Sequence, residues 1–134
     1  MAALSRSRVR WEASERVGGS GVLKLFDGGL QPTVRDVATL MVAVSDNTAT
    51  NLLVNRLGTA KIDERLARYG LAQTKIFRPT FRDGKPDVFP ELEKEFGLGM
   101  STPREMAALM ALSAIRQAIW IIRISSAVVV RSGP

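Results

Sequence analysis

Apolar residues recur at helical spacing in three consecutive stretches of the chain. Val37, Leu40, Met41 and Val44 form the first stripe, Ala49, Leu52, Leu53 and Leu57 the second, and Ile62, Leu66 and Tyr69 the third. Such spacing keeps the apolar side chains on one face of an α-helix. The punctuation agrees. Thr33 and Asp36 suit a helix start, since the hydroxyl can accept from the first free amides and the carboxylate favours the positive end. The first helix should stop around Ser45, the second restart near Asn47 or Thr48 and end at Gly58, and the third run from Thr59 to Gly70. Thr102-Pro103-Arg104-Glu105 opens a fourth helix with a capping residue, proline at the first position and a glutamate placed for a capping box. That helix continues through Met106, Leu109 and Met110 toward Ile122. Glycines at 18, 19, 21, 28 and 29 make residues 12–32 a loop, and Pro79, Gly84, Pro86, Pro90, Gly97 and Gly99 make residues 74–100 a long ordered loop or flap. Strands are nearly absent, so the chain reads as mainly α.

Composition narrows the chemistry. The 134 residues suit one domain, and cysteine and histidine are both missing. Disulfides, thiol nucleophiles, imidazole bases and Cys/His metal sites are therefore excluded. No cofactor or metal is expected. The net charge of +6 lies in terminal arginines, Arg6, Arg8 and Arg10 at one end and Arg116, Arg123 and Arg131 at the other, around a balanced middle. No aromatics interleave with them, so nucleic acid is not expected as a partner. The apolar stretch near the C-terminus is interrupted by Arg116 and Arg123 before it reaches membrane-spanning length, and the basic start runs into Glu12 and Glu15 without a secretory apolar segment. Trp11, Trp120, Met41, Met100, Met106 and Met110 read as packing residues.

The chemistry-bearing piece is Ser45-Asp46-Asn47, at the break between the first two helices. On a tight interhelical turn, Ser45 and Asn47 can project into a cleft while Asp46 points away and ties down backbone amides. Taken alone, three small polar residues between helices are most often capping chemistry. Its surroundings say more: the preceding helix, the Thr48-Ala49-Thr50-Asn51-Leu52-Leu53 helix after it, the Arg56-Leu57-Gly58 ending and the later Ser101-Thr102-Pro103-Arg104-Glu105-Met106 start. Together they resemble the class A β-lactamase family of penicillin-recognising serine hydrolases, over about residues 13–112. The resemblance implies the helical subdomain of a β-lactamase/transpeptidase-like α+β fold with the sheet largely missing. It also implies a role for Ser45 in proton relay and for Asn47 in holding the substrate's side-chain amide. Its ligands would be β-lactams or peptidoglycan-like small molecules, and its members are exported, although the compartment of this chain stays open.

Other parts of the family's machinery are not found. No serine is followed three residues later by lysine, so the nucleophile motif S-x-x-K is absent. The lysines precede Leu25, Ile62, Ile76, Pro86 and Glu95, so K-T-G is absent too. In the flap, Arg78 falls on the family's loop-pinning arginine and Thr80 on its deacylating glutamate, which a hydroxyl cannot replace as base. Glu91, Glu93 and Glu95 read as a solvated acidic run beside Lys94. The parent therefore looks closer to a penicillin-binding or peptidase-like relative.

The expected organisation is a basic tail over 1–12, the family-like segment over 13–117 with its loop at 74–100, and a divergent apolar tail over 118–134. A truncated or frame-shifted reading frame would explain that tail. The leading expectation is a truncated β-lactamase-like hydrolase that is inactive alone. Its apolar helix faces invite self-association or a complementing fragment. The alternative is a small helical interaction module without catalysis.

Overall fold

The computed structural model describes residues 7–82 and 85–114. The sequence-predicted tail over 118–134 and Trp120 lie outside them. Three helices follow one another: α1 (Val34–Ala43), α2 (Asn47–Leu57) and α3 (Thr59–Arg68). Each boundary has a local cause. Thr33 Oγ1 accepts from Asp36 N–H at 3.1 Å while the Asp36 carboxylate accepts from Thr33 N–H at 2.9 Å, closing a capping box at α1. A further bond, Thr33 Oγ1 donating to Asp36 Oδ2 at 2.6 Å, is the main cause holding the Asp36 carboxyl below its ordinary range, with the Thr33 N–H second. Gly58, with φ of 82°, lets the chain swing directly from α2 into α3.

The N-terminal stretch that the sequence places in a basic tail is partly core. Residues 7–11 run extended against the segment before α1: Val9 N–H donates to the Pro32 carbonyl at 2.8 Å and Trp11 N–H to the Leu30 carbonyl at 3.0 Å. Alternation then turns Val9 and Trp11 inward and leaves Arg8 and Arg10 outside. Val9 and Trp11 join Leu23, Val37, Ala49, Leu52 and Leu53 in the core between α1 and α2. Residues 12–32 are a loop with single 3-10 turns at Ala13–Glu15 and Leu23–Leu25.

The expected 74–100 loop contains more order than its breakers suggest. Lys75–Ile76 (β1) pairs antiparallel with Gly99–Met100 (β2), Lys75 opposite Met100 and Ile76 opposite Gly99. Between them lies a helix, α4 (Pro90–Phe96). Pro90 starts that helix, because proline at the first turn removes only an amide that would be unpaired. The final helix, α5, runs from 103 to the last described residue, 114. Thr102 caps it, accepting from Glu105 N–H at 3.2 Å, but the Glu105 carboxylate reaches Gln73 and Thr74 instead of closing the predicted box.

Several predicted inward faces are open. Leu57 and Tyr69 are exposed, and α3 buries Thr59 and Asp63 instead. Ile62 and Leu66 line an open cavity of about 440 Å³ with Leu57 and Leu109. Met106 and Met110 are exposed, Met110 by 67%, whereas Met41 packs against the core. No helix among the described residues is long and apolar enough to cross a membrane.

Candidate active site

The turn between α1 and α2 is built around Asp46, which is fully buried. Its Oδ1 accepts from Ala49 N–H at 3.0 Å, capping α2. Its Oδ2 accepts from the amides of Val22 and Leu23 at 2.7 and 2.8 Å. One carboxylate thus fastens the glycine loop to the helix start, with Gly21 close enough that a Cβ there would stand 2.5 Å from Oδ2. Ser45 takes the left-handed conformation, φ 51°, which turns the chain between the helices and leaves the residue exposed.

Asn47 opens α2 and lies against the same loop. Its N–H donates to the Ser20 carbonyl at 3.1 Å, and its Nδ2 to the Gly18 carbonyl at 3.3 Å. One helical turn later, Asn51 presents its carboxamide along the same face. Asn51 Oδ1 accepts from both Thr80 N–H at 2.8 Å and Thr80 Oγ1 at 2.9 Å, and its Nδ2 donates to the Thr80 carbonyl at 3.0 Å. Asn51 was missed by the sequence reading. The available signal was the four-residue spacing of two asparagines on one predicted helix.

Arg78 and Glu93 form a buried pair, Nε to Oε1 at 2.7 Å, and Arg78 Nη1 also donates to the Pro79 carbonyl at 3.3 Å. The acidic run therefore divides. Glu91 is exposed and pairs with Lys94, whereas Glu93 faces inward to Arg78, because α4 turns one side of the run toward the protein. A second carboxylate closes the base of this segment. Glu105 accepts from Gln73 N–H at 3.0 Å and Thr74 Oγ1 at 2.6 Å, and Thr74 Oγ1 lies 2.9 Å from Ser101 Oγ. The Thr74 hydroxyl, more than the Gln73 amide, holds the Glu105 carboxyl below its usual range. Asp63 shifts the other way: burial pushes its carboxyl up, opposed by Ile76 N–H donating to Oδ1 at 2.8 Å. Its Oδ2 is buried without a hydrogen-bond partner.

Arg78, Pro79 and Thr80 border a largely apolar cavity of about 410 Å³, together with Thr50, Val54 and Met100. Among the described residues no cluster of three acidic side chains could hold a metal ion. The structure brings Asn47 to the glycine loop through direct hydrogen bonds, and the segment carrying Arg78 reaches α2 through the bonds of Thr80 to Asn51. Ser45 is exposed two positions from the Asn47 carboxamide, on a turn fastened by Asp46.

The chain is similar to PBP-A, with a TM-score of 0.63 and 29% identity, covering 80% of this chain and 36% of PBP-A. A PBP-A mutant in an acyl-enzyme complex with penicillin G gives the same TM-score of 0.63 at 29% identity, over 80% of this chain and 36% of that one. A β-lactamase from Sphaerobacter thermophilus gives a TM-score of 0.61 at 29% identity, covering 75% and 35%. The chain thus spans about a third of the length of these structures. No curated protein matches it. The profile of the β-lactamase enzyme family matches residues 3–119, a wider stretch than the motifs alone delimit. With that match over most of its length, and with mainly helical architecture like the corresponding part of its structural relatives, the chain belongs to the β-lactamase enzyme family.

Proposed function

We propose that this chain supplies the helical wall of a class A β-lactamase-like cleft for β-lactams or peptidoglycan peptides. In this reading the Ser45 hydroxyl relays protons toward a leaving nitrogen and Asn47 holds the ligand's side-chain amide. Arg78 acts as a positioning residue for the loop carrying Thr80. The observation that carries the reading is the threefold hold of Asp46 on Val22, Leu23 and Ala49, which stiffens the Ser45–Asn47 turn against the loop facing it. A site of this kind works only when its groups are fixed before ligand arrives.

The same reading makes the 134 residues incompetent by themselves, since they contain neither S-x-x-K nor K-T-G. Thr80, hydrogen-bonded to Asn51 Oδ1, offers no carboxylate to activate a deacylating water. An assembled enzyme would then acylate and release slowly, in the manner of a penicillin-binding protein. The acyl-enzyme captured on the PBP-A mutant supports that direction. The test is incubation of the purified chain with a chromogenic cephalosporin and a labelled penicillin. Neither hydrolysis nor a covalent adduct is expected, and stable acylation at any serine would overturn the assignment of incompetence.

A further inference from the structure

Along α3 and its C-cap two stripes run side by side. Ile62, Leu66 and Tyr69 recur at helical spacing, and Lys61, Arg65 and Arg68 repeat that spacing one position earlier. The apolar stripe meets Leu57 from the end of α2 and Leu109 from α5 in the open cavity of about 440 Å³, which Lys61 and Arg65 also line. That volume falls within the roughly 300–1,000 Å³ of small-molecule pockets. Its lining is separate from that of the cavity beside Arg78 and Thr80. The rim is cationic. Glu64, the acid on this part of α3, is engaged by Arg68, and among the described residues neither Lys61 nor Arg65 pairs with a carboxylate. Arg65 Nη2 donates to Tyr69 Oη at 3.0 Å and its guanidinium stands 5.0 Å from the centre of that ring, which holds the charge at the cavity's edge. Lys61 lies one turn away, so both cations can reach one anion between them.

We propose that this cavity binds an apolar monocarboxylate, a fatty acid or a comparable anionic amphiphile. Its chain lies on Ile62, Leu66 and Leu109, and its carboxylate sits between Lys61 and Arg65. The apolar floor supplies affinity by removing methylenes from water. The ammonium and guanidinium supply the choice of charge, since hydrogen bonds between ionised partners are the stronger kind. A neutral or cationic amphiphile of the same length keeps the first contribution and loses the second. Residues 115–134 of this chain are apolar as well, but they bring Arg116, Arg123 and Arg131 and no acid, so they match the floor and not the rim. The site is independent of the cleft assigned to Ser45 and Asn47, and failure of one leaves the other standing.

Titration of the isotope-labelled whole chain with decanoate, below the concentration at which it forms micelles, tests the site through amide chemical shifts. Saturable shifts are expected at Ile62, Leu66, Tyr69 and Leu109. Hexanoate should bind about tenfold more weakly, because fewer methylenes are buried, and decyltrimethylammonium about fivefold more weakly, because it meets like charge. Lys61→Gln combined with Arg65→Gln should erase the preference for decanoate over decyltrimethylammonium while leaving the binding of decanol unchanged. Leu66→Gln should weaken all three long-chain probes. Saturable shifts centred elsewhere, equal binding of decanoate and decyltrimethylammonium by the unsubstituted chain, or a preference that survives the double substitution would overturn the proposal. Absence of shifts at these amides would overturn it too. Concentration-dependent broadening of the same amides that decanoate fails to relieve would also overturn it, and would make a second copy of the chain the occupant.

Discussion

Asp46 and Asp63 show how differently one side-chain type behaves when its partners differ. Asp46 satisfies both oxygens with backbone amides. Asp46→Ala should therefore release the glycine loop and uncap α2, lowering stability by about 3 kcal/mol in a urea titration, since hydrogen bonds to a charged group contribute about 1.5–3 kcal/mol. Asp63 has one oxygen on Ile76 N–H and the other buried and unsatisfied, and burial raises its carboxyl. A raised folded-state value means that protonation favours folding. Its contribution is fully present below the ordinary carboxylate range and is lost as pH rises through the raised value. Glu105 and Asp36 have lowered values, so theirs is present above the ordinary range and lost as pH falls through the lowered ones. Asp63→Asn should accordingly match the parent chain in acid and exceed it in stability near neutrality, read as a pH-dependent difference between urea midpoints. Only part of this could be read from letters alone. Asp46 is legible as a residue that ties down amides, whereas nothing near Asp63 in sequence announces that the Ile76 amide will bond to it.

Elements were legible where their cause is local. Thr33, Asp46, Gly58 and Thr102 act within a turn of themselves, and the helices they bound lie close to where the apolar stripes predict them. The 74–100 segment was less legible because its order comes from contacts across the chain: Lys75 with Met100, Arg78 with Glu93, Thr80 with Asn51 and Glu105 with Thr74. Pro90 reads as a breaker until it is seen to begin a helix. These long-range ties make the segment a closed loop held at its neck by the Glu105 carboxylate together with the β1–β2 pairing and the Thr74–Ser101 hydroxyl contact. Glu105→Ala should open that neck. Hydrogen exchange at Ile76 and Phe77, whose amides bond to Asp63 and the Leu98 carbonyl, should quicken by about tenfold, equivalent to about 1.4 kcal/mol of local opening. Unchanged exchange there would mean that β1 and β2 hold the neck unaided.

At the scale of the molecule, the chain spans about a third of its solved relatives and leaves apolar side chains uncovered, Val42 by 77% and Met110 by 67%. The inward stripes predicted for α3 and α5 were sound as amphipathic patterns, but such a pattern says that a face wants a cover without naming it. Co-expression with a fragment bearing S-x-x-K and K-T-G should consequently give penicillin acylation that neither part shows alone. A mixture that folds and binds together without acylating would point to a scaffold instead. Ser45 carries an implication for how such a chain changes under selection. At φ 51° a glycine is more comfortable than serine by about 1 kcal/mol. A library sorted only for abundance should drift toward Ser45→Gly, whereas one sorted for ligand capture should retain the hydroxyl, so the residue recovered there reports which pressure was applied.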